Sequence, residues 1–259
     1  MLLTTIDGHK TAYRISSVAG HGSPTILCVH GSGGDSSVWG SQFEGLAPDC
    51  TLIAPDLPGH GATHGRGGYS IEDYASWIEA FAEALGLHRF ILMGYSMGGA
   101  IGQAMAHAYP TRVAGLILVS TAMRFVVAPE YLKVLQKDFH RAARASCDSA
   151  YAPGVAPELY HRGLEMLLSN GGEAMYEDVF ACTQFDATAR AGKISVPALV
   201  ISGNHDTITP PEAGRELAGK LPQGAFMAFA KAGHMVMQEA AYRFNAAVRN
   251  FIASKGETS

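Results

Sequence analysis

Charge is scarce in this sequence. Only 16% of the 259 residues are Asp, Glu, Lys or Arg and the net charge is −4, so no basic field is present to attract a polyanion and a nucleic-acid partner is not expected. Long apolar runs are also missing. None approaches the roughly 20 residues needed to cross a bilayer, and Met1-Leu2-Leu3-Thr4-Thr5-Ile6-Asp7 has neither the basic start nor the long apolar stretch of a secretory leader. The expectation is a soluble protein of the cytoplasm with no membrane partner. Cysteine is rare: Cys28, Cys50, Cys147 and Cys182 lie far apart and form no CxxC pair. They read as reduced packing thiols rather than as disulfides or zinc ligands. His60 and His64 are four apart, but Gly59, Gly61 and Gly65 argue against the helix that such a metal pair requires. They read as loop residues, and neither a metal nor a cofactor is expected.

What is plentiful is apolar side chain, 47% of the chain, enough for one large α/β domain with an insertion. Eight short runs read as strands: Leu2 to Ile6, Thr11 to Ser16, Thr25 to Val29, Thr51 to Ala54, Arg89 to Met93, Ala114 to Val119, Ala198 to Ile201 and Phe226 to Phe229. The first two look like an edge pair turning at Asp7-Gly8. Helical periodicity lies between most of the others, which predicts a mostly parallel sheet with helices on both faces. In Ile71 to Leu85, Ser70 and Asp73 serve as caps, Ile71, Ala75, Ile78, Ala82 and Leu85 form one stripe, and Gly86 ends the helix.

Between Ala122 and about Gly192 strand-like runs vanish, and Pro129 to Ala145 and Pro157 to Ser169 read as helices. The expected organisation is a catalytic domain from residues 1–121 and 192–259, with 122–191 inserted as a helical cap. Arg124, Lys133, Lys137, Arg141 and Arg144 read first as a solvated face. An acidic carrier of the substrate is the functional alternative. The tail Ser254 to Ser259 is expected to fray.

Chemistry centres on Gly94-Tyr95-Ser96-Met97-Gly98, which joins the run Phe90 to Met93 to the small-residue helical stretch Gly99 to Ala106. A GxSxG turn between strand and helix forces its serine onto a strained bend, and the flanking glycines let the backbone pass. A serine hydroxyl needs a base, and the base needs a partner that fixes its tautomer. Asp206, after the strand Ala198 to Ser202, and His234, after Phe226 to Phe229, both fall at carboxyl ends of strands, where open α/β sheets place their sites. Taken singly, Ser96 reads equally as a turn serine, Asp206 as a cap before Pro210-Pro211 and His234 as a loop histidine.

Together these segments resemble the α/β-hydrolase fold superfamily, in its branch of small capped serine hydrolases. The resemblance is carried by His30-Gly31-Ser32-Gly33-Gly34, Asp56-Leu57-Pro58-Gly59-His60-Gly61, Gly94 to Gly99, the loop Gly203 to Pro210, and Gly233-His234. It implies an eight-stranded, mostly parallel sheet with an inserted helical cap, and Ser96, His234 and Asp206 as nucleophile, base and orienting acid. The oxyanion then needs two N–H donors: the Met97 amide at the helix start and the Ser32 amide, with Gly33 in reserve. His30 is expected to brace that loop, His107 to meet the end of its helix, and Trp39 and Trp77 to pack. Met123, Phe125, Val126, Met235 and Met237 are candidates for an apolar acyl pocket.

The implied activity is cofactor-independent hydrolysis of small-molecule esters or thioesters, carrier-bound or free. Carbon-carbon bond hydrolysis, elimination or perhydrolysis on the same scaffold, and a slow-turnover ligand receptor, are the alternatives. Serine rather than aspartate at position 96 argues against the dehalogenase and epoxide hydrolase branches.

Overall fold

The computed structural model describes residues 1–16, 20 and 22–256. Strands β1 (Leu2–Ile6), β2 (His9–Ile15), β3 (Thr25–Val29), β4 (Thr51–Pro55), β5 (Phe90–Tyr95), β6 (Val113–Val119), β7 (Ala198–Gly203) and β8 (Gly224–Phe229) form one sheet in the order β1-β2-β4-β3-β5-β6-β7-β8. The β1–β2 and β2–β4 pairs are antiparallel. From β4 to β8 every pairing is parallel. The expected hairpin turns at Asp7 and Gly8, which stand at φ 49 and 80.

Burial explains the strand sequences. β4 and β5 are buried along their whole length, while the edge strand β8 alternates, as expected where both faces of the inner strands are covered and the edge is not. In β3, Leu27 and Val29 face one core with Ile78, Phe81 and Ile101. Ile26 and Cys28 face the other, with Trp39, Leu46, Phe244 and Val248. The first layer holds α2 (Ile71–Ala84), α3 (Met97–Ala108) and α8 (Pro211–Lys220), and the second α1 (Gly40–Leu46), the short α9 (Val236–Glu239) and α10 (Ala241–Gly256). The expected capping box on α2 is present, with Ser70 accepting from the Asp73 amide and Asp73 accepting in return. Helix α10 runs to Gly256, so Ser254 is helical rather than frayed; residues 257–259 lie outside the described residues.

Between β6 and β7 lie α4 (Pro129–Lys137), α5 (Phe139–Ala150), α6 (Pro157–Asn170) and α7 (Gly172–Gln184). The neck of this insertion closes where Ala187 N donates to Met123 O at 2.8 Å and Arg124 bridges Asp186. One sequence expectation needs correction here. Pro129 to Ala145 is not one helix: Asp138, at φ −150 and ψ 75, ends α4, and its carboxylate accepts from Arg141 N at 3.1 Å to start α5. Helix α7 falls within the expected helical insertion, where the sequence reading gave it no bounds of its own. It buries Glu177 and Asp178 as well as apolar residues, so it has no clean amphipathic stripe to read.

Candidate active site

Ser96 stands between β5 and α3 at φ 53 and ψ −115, a conformation that costs a non-glycine residue about 1–3 kcal/mol. Its surroundings enforce the bend. Ser96 N donates to Val119 O at 2.8 Å, and Thr121 Oγ1 donates to Ser96 O at 2.8 Å. A Cβ on Gly94 would sit 2.1 Å from Gly98 O, and one on Gly98 would sit 2.2 Å from Val29 O. Glycine at both places is therefore a packing requirement.

The three chemically paired residues of the sequence meet. The Ser96 hydroxyl lies 3.0 Å from His234 Nε2, and His234 Nδ1 lies 2.8 Å from Asp206 Oδ2. Thr209, which sequence reasoning missed, donates its hydroxyl to Asp206 Oδ2 at 2.9 Å and lies 3.2 Å from His234 Nδ1. The Ile208 and Thr209 amides satisfy Asp206 Oδ1, both at 2.9 Å. Burial works to raise the Asp206 pKa, but the His234 charge and hydrogen bond together with Thr209 hold it below the usual carboxylate value. With Asp206 as acceptor, the proton sits on Nδ1, so Nε2 is free to accept from Ser96. The histidine loop is gripped by the insertion: His234 N donates to Ala150 O at the end of α5, at 2.7 Å. Glu239 accepts from Gly233 N and Ala152 N, at 2.9 and 2.8 Å.

His30 braces the neighbouring loop as expected. Its Nδ1 donates to Gly31 O at 2.9 Å and its Nε2 accepts from Leu57 N at 3.0 Å. Burial and the charge of His60 push its pKa down to about 4, in keeping with a neutral ring. Met97 is the first residue of α3, so its N–H has no carbonyl one turn back. Ser32 lines the cavity in front of Ser96. Gly33, the reserve donor, is out of position: its N–H is bonded to Asp178 Oδ2 at 2.8 Å.

A cavity of about 400 Å³ opens on Ser96, walled by residues from both parts of the chain. Phe125, Val126 and Met235 line it as expected, joined by Leu167, Val179 and Cys182 from the insertion. Met123 does not line it. The side chain, 4% exposed, packs into the core with Ala181, Cys182 and Phe185, because the neck bonds turn it inward. Met237 is likewise core, on the other side of the sheet. No Lys, Arg, Asp or Glu is among the described residues that wall the cavity. Arg124, Lys133, Lys137, Arg141 and Arg144 are all exposed and outside it.

His60 and His64 do not come together: His64 is exposed, whereas His60 is buried against Asp178 of α7 at 2.9 Å. His107 is exposed in the last turn of α3, Trp39 is fully buried, and Trp77 stacks on Phe81. The four cysteines are unpaired and buried.

The sequence model of the alpha/beta hydrolase fold matches residues 24–241. The chain is similar to a pyrrolizixenacetamide deacetylase of Xenorhabdus hominickii, 27% identical, covering 90% of this chain and 92% of that one. It is also similar to the pimeloyl-[acyl-carrier protein] methyl ester esterase of Chromobacterium violaceum, 29% identical over 82% of this chain and 87% of that one. Among solved structures, the enol-lactonase from Burkholderia xenovorans LB400 superposes with a TM-score of 0.91 at 27% identity, covering 97% of this chain and 100% of the other.

Proposed function

The chain belongs to the alpha/beta hydrolase fold family, and from that premise we propose that it is a serine hydrolase of uncharged carboxylic esters and thioesters, working through an acyl-enzyme on Ser96. The observation that carries the reading is the unbroken relay from the Ser96 hydroxyl through His234 to Asp206, at 3.0 and 2.8 Å, whose first two members line an apolar cavity. A deacetylase, a methyl ester esterase and an enol-lactonase among its relatives support acyl transfer as the class of reaction.

His234 takes the Ser96 proton as the oxygen attacks the acyl carbonyl. The Met97 and Ser32 amides receive the oxyanion, and the protonated imidazole then protonates the departing alcohol or thiol. Water enters, His234 deprotonates it, and the acid leaves with Ser96 restored. Residues 1–121 and 192–259 act as the catalytic domain, and 122–191 as the cap that supplies much of the acyl pocket. Because no Lys, Arg, Asp or Glu is among the described residues that line the cavity, a substrate carboxylate would be buried without a partner, a cost of several kcal/mol. Neutral, apolar acyl groups are the favoured occupants.

The test is p-nitrophenyl butyrate turnover with Ser96→Ala as blank. An acyl-enzyme burst is expected in the native protein, and the alanine variant should lose about 10⁴-fold or more in kcat/KM. The p-nitrophenyl monoester of succinic acid should be turned over at least about 100-fold less efficiently, from the cost of the unpaired carboxylate. Activity retained without the serine would refute the nucleophile, and equal turnover of the two esters would refute the uncharged pocket. Tight binding of a small molecule with no acylation would favour the receptor alternative.

A further inference from the structure

The loop after β3, Gly31-Ser32-Gly33-Gly34, has three glycines in four residues and little conformational preference of its own. Gly33 stands at φ 67. The peptide plane shared by Gly31 O and Ser32 N is held from within the catalytic domain. Gly31 O accepts from Gly34 N at 3.0 Å and from His30 Nδ1 at 2.9 Å, and a Cβ at Gly31 would lie 3.0 Å from Ser96 Cβ.

The next three planes are held by the insertion, the first through Asp178 and the two after it through Asn170. Gly33 N donates to Asp178 Oδ2 at 2.8 Å, and Gly33 O and Gly34 O both accept from Asn170 Nδ2 at 2.9 Å. Asn170 Oδ1 also accepts from Gly61 N at 2.9 Å, so the last residue of α6 ties the loop after β3 to the loop after β4. Asp178 is itself fixed: Tyr74 Oη donates to Oδ1 at 2.5 Å and His60 Nε2 to Oδ2 at 2.9 Å. Both backbone polar groups of Gly33 are therefore spoken for by side chains of the insertion.

Resting on the hydrolase reading, we propose that Asn170 and Asp178 are positioning residues for the reaction: by locking Gly33 from the insertion side they keep the Ser32 amide aimed at the oxyanion. The Ser32 N–H lies in the plane already held through Gly31 O, and holding the Ser32–Gly33 plane as well leaves the Ser32 Cα no room to carry the first plane away. The insertion then contributes to the chemical step as well as to the pocket wall. Its α6–α7 corner is a fixed clamp on the loop and not a hinge. A donor that strengthens its bond as charge develops acts on kcat more than on KM.

Asn170→Ala is the variant of choice, because Asn170 is half-buried and uncharged and its loss strands no ion. Asp178→Asn is the second, keeping shape while removing charge. With p-nitrophenyl butyrate each should lower kcat about 10-fold, a fraction of the loss of a whole oxyanion donor, with KM within about two-fold. Affinity for a trifluoromethyl ketone, which forms a tetrahedral adduct on Ser96, should fall in parallel. Amide hydrogen exchange in the peptide spanning residues 30–36 should accelerate, and the shape of the kcat pH profile should not change. Faster exchange with unchanged kcat would show a structural clamp alone and overturn the proposal, as would a rise in KM with kcat intact. A native protein that hydrolyses no ester and takes no fluorophosphonate on Ser96 would remove the hydrolase reading and the proposal with it. The exchange result would still tell whether the clamp exists.

Discussion

Two buried histidine–aspartate pairs, His234–Asp206 and His60–Asp178, are built from the same parts. In each, the carboxylate holds an imidazole nitrogen at 2.8 or 2.9 Å, accepts a hydroxyl and takes backbone amides: Thr209 and residues 208–209 for Asp206, Tyr74 and Gly33 for Asp178. The difference lies at the far nitrogen. His234 Nε2 faces the Ser96 hydroxyl at 3.0 Å, which can give up a proton. His60 Nδ1 faces Pro58 O at 3.0 Å, which can only accept. With an acceptor at each nitrogen, His60 satisfies both contacts only as the imidazolium, which favours its charged form. A histidine–aspartate pair becomes catalytic machinery only when its outer nitrogen meets a group that can donate; otherwise it is a bolt.

Substituting the carboxylates should separate the two uses most sharply. Asp206→Asn disturbs the tautomer of His234 and is expected to cost about 10²–10⁴ in kcat, with a modest change in melting temperature. Asp178→Ala strands a buried imidazolium, and breaking a buried pair in this way costs about 3–5 kcal/mol of stability. For a chain of this length that is a fall in melting temperature on the order of 10 °C. Thermal unfolding and steady-state kinetics on the same two proteins decide it. If Asp178→Ala melts with the native protein, His60 is not the fixed cation that its partners imply.

The pairs also differ in what the sequence made readable. Asp206 and His234 fall a few residues past apolar strand runs, where chain order and sheet geometry together mark a site. Asp178 and Asn170 carry no such mark. They belong to helices of the insertion, and α7 is buried on so many sides that its acidic residues interrupt any period. Only the folded contact with Gly33 and His60 gives them meaning. The same limit explains Met123, near the site in sequence but turned into the core by the neck, and Asp138, which splits a stretch whose apolar pattern continues through it. Eight strands and the elbow were legible as local patterns, and the relay because each of its residues follows such a strand run at the sheet's carboxyl end, although its own contacts are long-range. The clamp residues follow no such run.

pH offers a smaller contrast. Burial disfavours the His60 charge, but Asp178, the Pro58 carbonyl and Asp56 raise its pKa above the ordinary histidine value. Burial likewise opposes ionisation of Asp178, yet His60, Tyr74 and the Gly33 amide hold it below the usual carboxylate value. A raised histidine contributes stability in full below its unfolded value and loses it as pH rises through the folded one; a lowered aspartate loses its contribution only as pH falls. The pair is therefore strongest in the mildly acidic range. The melting-temperature gap between the native protein and Asp178→Asn should be widest in the mildly acidic range and narrow as the pH rises through the raised His60 value. The groups facing the pair, His30 and Asp56 from the loops after β3 and β4, Tyr74 from α2 and Cys182 from α7, are common to both proteins. A gap that is flat or widens with pH would contradict a charged His60.

The hydroxyls give the finest comparison. Thr209 and Tyr74 each donate to a carboxylate already held by a histidine, so each removal deletes one hydrogen bond to a charged acceptor without stranding an ion. Such a bond is worth about 1.5–3 kcal/mol. Tyr74→Phe should lower stability by that amount while kcat stays within about two-fold, because Asp178 keeps Gly33 and His60. Thr209→Val should do the reverse: its hydroxyl lies 3.2 Å from His234 Nδ1 as well as 2.9 Å from Asp206, and without it the imidazole loses a stop against rotation. A several-fold fall in kcat with a smaller change in melting temperature is the expected result. If the two variants lose activity and stability in the same proportion, the pairs are not divided between chemistry and anchorage. The hydroxyls would then be interchangeable supports of one network.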